Sequence, residues 1–88
     1  MSVHTKNLVF GEALNPLNHE RSCGGSSGGE AGLIAARCVP IGLGGDIAGS
    51  VRFPATFCGI YGIKPTINRV SNKGHPKARI MQFAVPTH

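Results

Sequence analysis

Two glycine-framed serines dominate this 88-residue chain. The stretch Gly24-Gly25-Ser26-Ser27-Gly28-Gly29-Glu30 is followed by Gly44-Gly45-Asp46-Ile47-Ala48-Gly49-Ser50-Val51-Arg52-Phe53-Pro54. Glycine adopts the positive φ values of tight turns and lets another group approach the backbone closely. Glu30 and the helix-forming residues behind it argue against a free Gly/Ser linker. The two stretches therefore predict two tight loops that each present a serine.

An α/β framework is expected around these loops. Residues 30–37 predict a short, mostly buried helix, and residues 39–44 predict a buried strand that starts at its proline. A second helix over 50–58, interrupted at Pro54, and a second strand over 60–65 follow. This helix–strand–helix–strand order implies a parallel sheet whose remaining strands come from elsewhere.

The chain divides into three parts. Residues 1–23 lack a clear hydrophobic period and carry the turn sequence Asn15-Pro16-Leu17-Asn18, which predicts an extended, loop-like lead-in. Residues 24–66 form a partial core, and residues 67–88 form a basic, loop-rich tail. A chain of this length buries only about 60–65% of its unfolded surface. We therefore expect a piece of a larger domain that continues beyond the tail.

Composition excludes several classes of protein. With 41% hydrophobic and 15% charged residues, the chain is too apolar for wholesale disorder. It has no apolar run long enough to span a bilayer and no signal-peptide segment, which favours an intracellular location, cytoplasmic or membrane-associated through absent segments. The net charge of +5 lies mostly after Asp46. We interpret it as solvated surface and expect no nucleic-acid partner, although a small basic nucleic-acid binder stays an alternative.

Metal and cofactor sites are not indicated. The three cysteines, Cys23, Cys38 and Cys58, are odd in number and lack a C-x-x-C pair, so we expect buried reduced thiols. The histidines lack ligand spacing and are predicted to lie on the surface: His4, His19, His75 and His88.

The glycine-rich stretches do not match the known phosphate-binding loop motifs. No Lys-Ser or Lys-Thr follows Gly28-Gly29 as a Walker A loop requires, and Ile47 stands at the third glycine position of a dinucleotide fingerprint. We expect no cofactor.

The loop sequences resemble the amidase-signature family, whose members hydrolyse C–N amide bonds with a Ser–Ser–Lys triad. The resemblance rests on residues 24–30 and 46–54 and on Gly59-Ile60-Tyr61-Gly62-Ile63-Lys64-Pro65-Thr66, and it covers roughly residues 15–70. Asn15-Pro16 and Phe57-Cys58-Gly59 are most similar to the fatty acid amide hydrolase branch. The resemblance implies part of an α/β core, a mixed β-sheet covered by helices, that is incomplete on its own.

The same resemblance implies a role for each matched residue. Ser50 is expected to be the acyl-forming nucleophile, and Ser26, which follows a cis peptide bond, is the bridging serine. The substrate would be a small-molecule or lipid amide. The oxyanion hole would be formed by the backbone N–H groups of Ile47, Ala48, Gly49 and Ser50. Three side chains would support the site: Ser27, Asp46 and Arg52.

Two departures from the family pattern limit this expectation. The general-base lysine should lie well upstream of Ser26, and Lys6 is too close and in a different sequence context. Ala48 stands where the family usually has glycine, so the loop would be strained if Ala48 required a positive φ. We therefore expect the isolated chain to be inactive. The alternative is a catalytically inactive truncated product or interaction module.

Overall fold

The computed structural model describes residues 2–74 and, for the backbone alone, residues 83–87. It contains seven short strands and two helices within that part of the chain. In chain order they are β1 Lys6–Asn7, β2 Gly11–Glu12, β3 Leu14–Asn15, β4 Asn18–Ser22, α1 Gly28–Ala35, β5 Gly44–Gly45, α2 Arg52–Cys58, β6 Tyr61–Ile63 and β7 Phe83–Thr87.

The lead-in folds into two antiparallel hairpins, β1–β2 and β3–β4. Asparagine side chains close both turns: Asn7 Oδ1 accepts the N–H groups of Val9 and Phe10 at 2.9 and 2.8 Å, and Asn15 Oδ1 accepts that of Leu17 at 2.9 Å. The expectation of a loop over residues 1–23 is therefore wrong. These strands are short and mostly exposed, so their sequences lack the hydrophobic alternation from which a strand is predicted.

Helix α1 begins directly after the first serine loop. Glu30 lies in its first turn, where the helix dipole favours a carboxylate, and Ala31 and Ile34 face the core. The helix ends before Arg37, whose φ is +59°. The predicted helix is thus confirmed, although it starts and ends two residues earlier than expected.

Pro54 does not interrupt helix α2, which corrects the prediction. It is the third residue of the helix, within the turn whose N–H groups have no partner inside the helix proper. The helix ends in a Schellman motif, because the N–H of Ile60 donates to Ala55 O at 3.0 Å and that of Gly59 to Thr56 O at 3.4 Å.

The third sheet has the order β5–β7–β6. Strand β7 is antiparallel to both neighbours, with Gly44 opposite Ala84 and Gly62 opposite Pro86. Strands β5 and β6 therefore run in the same direction, but each pairs antiparallel with β7, which corrects the expectation of a parallel sheet for the described strands. The buried strand predicted over 39–44 is also wrong: β5 has two residues, and Ile41 and Leu43 are exposed.

A small core joins the first loop to the second helix. Cys23, Ala31 and Cys58 are buried together, with Ala13, Ala35 and Ile60 packed against them. Much apolar surface stays outside this core; at the tip of the first hairpin the side chains of Val9 and Phe10 are 80% and 88% exposed. None of the helices in the described part of the chain has the length and apolar character to cross a membrane. Residues 75–82 and 88 of the predicted basic tail, which include His75 and His88, lie outside the described residues.

Candidate active site

The first serine loop joins strand β4 to helix α1. The peptide bond between Gly25 and Ser26 is cis, the geometry that the family resemblance implies. There is no room for a side chain at Gly25, because a Cβ there would lie 2.8 Å from the carbonyl carbon of His4. Ser26 is exposed and Ser27 is half-buried. The loop thus presents the predicted bridging serine to the outside while its backbone packs against the N-terminal segment.

The second serine loop is built around the buried carboxylate of Asp46, which is 0% exposed. One oxygen accepts the Gly49 N–H at 2.7 Å; the other accepts the N–H groups of Val51 and Arg52 at 3.2 and 3.3 Å. The Arg52 guanidinium adds a bidentate pair, with Nε and Nη2 each 3.0 Å from a carboxylate oxygen. These bonds fix the backbone on both sides of Ser50.

The ionisation of Asp46 follows from these contacts. Burial by itself would raise the pKa of this carboxyl. Hydrogen bonds from the Arg52 guanidinium and from three backbone N–H groups outweigh burial and hold the pKa of Asp46 well below its usual range. Asp46 is therefore a charged anchor of the loop at neutral pH and has no tendency to transfer protons there.

A backbone hydrogen bond joins the two serine loops. The N–H of Ser27 donates to the carbonyl oxygen of Ser50 at 3.0 Å. Pro54 leaves this carbonyl without a helical donor, since in a helix the residue four places after Ser50 would normally donate to it and proline has no N–H. The N–H groups of Phe53 and Ala55, on either side, do follow the helical pattern. The Ser27 hydroxyl also donates to Gly45 O, at 3.5 Å.

The backbone around Ser50 has N–H groups without a hydrogen-bond partner in the described part of the chain. Gly49 has a φ of +116°, a value that suits glycine, and its N–H is directed to Asp46. The strain envisaged for Ala48 does not arise, because among the described residues only Arg37 and Asn68 combine a positive φ with a side chain. The N–H groups of Ile47, Ala48 and Ser50 make no hydrogen bond within residues 2–74.

Two of the three cysteines lie beneath the loops. Cys23 directly precedes the first loop, Cys58 ends α2, and both are buried and reduced, whereas Cys38 is exposed, which corrects the expectation for that thiol. Burial raises the pKa of the Cys23 thiol, and burial together with the neighbouring Cys23 thiol raises the pKa of Cys58 to about 12.

Among these three cysteines, alkylation of the native protein is therefore expected to modify only Cys38. Iodoacetamide reacts with thiolates, and the buried thiols are neither ionised nor accessible at pH 8. Peptide mass mapping should find Cys23 and Cys58 labelled at least about 100-fold more slowly than Cys38, and all three labelled after unfolding in urea. Labelling of Cys58 in the native protein as fast as Cys38 would contradict the packing described above.

Lys6 does not fit the lysine of the predicted triad. Lys6 is exposed on strand β1, outside the buried setting that a general-base lysine requires. Within the described residues there is also no group of three or more His, Cys, Asp or Glu side chains arranged to hold a metal ion.

Comparison with known proteins identifies the family. The Amidase family model matches residues 1–85. This chain belongs to the Amidase family. It is 58% identical over 84 residues to fatty-acid amide hydrolase 1 of Sus scrofa, which covers 96% of the chain and 14% of that protein. It is 53% identical over 74 residues to one component of the glutamyl-tRNA(Gln) amidotransferase of Methanospirillum hungatei, covering 84% of the chain and 17% of that protein.

A solved amidase structure has the same fold over this stretch. The chain superimposes on 6-aminohexanoate cyclic dimer hydrolase complexed with substrate with a TM-score of 0.88 and 37% identity, covering 98% of the chain and 19% of that enzyme. This agreement supports the predicted α/β amidase fold. The chain spans less than a fifth of the length of each of these Amidase relatives.

Proposed function

We propose that this chain carries the two-serine half of a Ser–Ser–Lys amidohydrolase that cleaves C–N amide bonds. The observation that carries the proposal is the hydrogen bond from Ser27 N–H to Ser50 O, which ties the two serine loops together. The Asp46–Arg52 pair and the three backbone N–H groups that donate to Asp46 stabilise the second loop. Such a preorganised backbone is what nucleophilic catalysis by serine requires.

In this proposal Ser50 Oγ attacks the amide carbonyl. Its proton passes to Ser26 Oγ, and Ser26 passes its own proton to a lysine supplied by other sequence. The free N–H groups of Ile47, Ala48 and Ser50 would donate to the oxyanion as it forms. The amine leaves with the returned proton, and water then hydrolyses the Ser50 ester, so that one amide and one water give one acid and one amine.

We propose long-chain fatty acid amides as the substrate class. The support is the 58% identity to the Sus scrofa protein named fatty-acid amide hydrolase 1, which extends over 96% of this chain. Relatives named for other amide reactions share 53% and 37% identity. The apolar surface left outside the core, including Val9 and Phe10, is consistent with a core completed by further sequence.

The proposal is tested with the native polypeptide that carries residues 1–88. It should hydrolyse a long-chain fatty acid amide faster than a short aliphatic amide, and a fluorophosphonate probe should add its mass to the peptide containing Ser50. A chain limited to residues 1–88 should not be labelled, because it lacks the lysine. Absence of hydrolysis of any amide, or labelling of a different serine, would refute the proposed function or its site.

A further inference from the structure

We propose that Thr5 is a positioning residue for the bridging serine, an inference that rests on the proposed function. Sequence patterns did not single out Thr5, which precedes the first serine loop by about twenty positions. Its hydroxyl nevertheless lies at the centre of that loop. Oγ1 is 2.9 Å from Gly24 O and 3.2 Å from Ser26 O, and it accepts the N–H of Gly28 at 2.9 Å.

One hydroxyl thereby links both ends of the loop. It has a single proton, which the two carbonyl oxygens share, and its lone pairs accept the Gly28 N–H. That N–H is one of the unpartnered donors at the start of α1. Ser27, the N-cap residue, makes no side-chain cap bond, so Thr5 satisfies the helix end in its place. The Ser27 hydroxyl is consequently directed to Gly45 O, toward the second loop.

The backbone of Thr5 is itself held in place. Its carbonyl accepts the N–H of Ala13 at 2.9 Å, and Ala13 O in turn accepts the N–H of Cys23, again at 2.9 Å. Cys23 is buried and directly precedes the loop. On the other side, the main chain of His4 leaves no space for a Cβ at Gly25. Neighbouring backbone therefore holds Thr5 in place, and Thr5 in turn restrains the position of the first serine loop.

The catalytic consequence concerns the position of Ser26. Proton transfer through its hydroxyl requires hydrogen-bond distances to Ser50 and to the lysine, and a displacement of about 1 Å can lower a rate roughly 100-fold. Loss of the Thr5 hydroxyl would free the Gly24 and Ser26 carbonyls and the first N–H of α1 at once. Thr5 touches none of the reacting atoms, so the effect should fall on kcat and not on substrate binding.

The test compares T5V, T5S and T66V in the native polypeptide that carries residues 1–88, with a long-chain fatty acid amide as substrate. Thr66 is an exposed threonine whose hydroxyl makes no hydrogen bond within residues 2–74, so T66V is the same chemical change at a neutral site. We expect T5V to lower kcat about 10- to 100-fold with KM changed less than about 3-fold. T5S should restore kcat to within about 3-fold of wild type, and T66V should match wild type.

Several outcomes would overturn the inference. They are T5V activity equal to that of T66V, a loss that falls on KM, or equal losses in T5V and T5S. If T5V fails to fold, T5S decides the matter through hydrogen exchange at the Gly28 amide. Protection equal to wild type with kcat retained supports the inference; exchange accelerated more than about 10-fold with kcat retained overturns it. A wild type that neither hydrolyses the amide nor is labelled at Ser50 refutes the proposed function, whereas an active wild type matched by T5V refutes this inference alone.

Discussion

Ser50→Ala is expected to reduce amide hydrolysis by about 10⁴-fold or more in the native polypeptide that carries residues 1–88. The substitution removes the oxygen that would form the acyl ester. Residual rate would come from substrate binding and the oxyanion donors alone. The measurement is kcat for a long-chain fatty acid amide, together with the loss of fluorophosphonate labelling.

Folding should survive this change. The contact of Ser50 with the first loop is made by its carbonyl oxygen, which alanine keeps. The free energy of unfolding should therefore change by no more than about 0.5 kcal/mol. Ser71→Ala is the matched control, because Ser71 is an exposed serine whose hydroxyl accepts only the N–H of Lys73 in the described structure, at 3.2 Å. If Ser50→Ala retained more than a tenth of the wild-type activity, Ser50 would not be the nucleophile.

The serine loops and both helices could be predicted from the sequence because their signals are local. Glycines around Ser26 and Ser50, an acid in the first turn of α1, and the Asp46–Arg52 spacing all act within a few residues. The sequence shows Pro54, but not the effect of its missing N–H, because the Ser50 carbonyl that it leaves without a helical donor accepts the N–H of Ser27 from the other loop.

Features that depend on distant partners could not be predicted. Strand β7 separates β5 from β6 and comes from much later in the chain, so the order of helices and strands alone misleads about pairing. Three strands of the two N-terminal hairpins have only two residues, and the fourth, β4, is polar throughout, so none of them shows a hydrophobic period. Thr5 gave no signal, since its partners are 19 to 23 positions away.

Asp46→Ala is expected to lower the free energy of unfolding by about 3–5 kcal/mol at pH 7. Alanine leaves the N–H groups of Gly49 and Val51 without an acceptor in a buried position, and it frees the Arg52 guanidinium. The half-exposed Arg52 side chain can return to water, whereas the backbone donors cannot. Urea unfolding midpoints of the native polypeptide measure the loss, with exposed Glu20→Ala as the control.

The pH dependence of the unfolding free energy distinguishes the contribution of the Asp46 charge from that of the size of its side chain. Because the folded-state pKa lies below the unfolded value of about 3.9, the carboxylate stabilises the native state fully above that pH, and the contribution is lost as the pH falls toward the folded pKa. Asp46→Asn keeps the size of the side chain but removes its charge. The urea unfolding midpoint of this variant should therefore change less than that of wild type between pH 5 and pH 3. If Asp46→Asn and wild type lost stability equally over this interval, the ion pair with Arg52 would not be what holds the Ser50 loop. If they diverge as expected, the loop that carries the proposed nucleophile Ser50 is stabilised by the charge of Asp46.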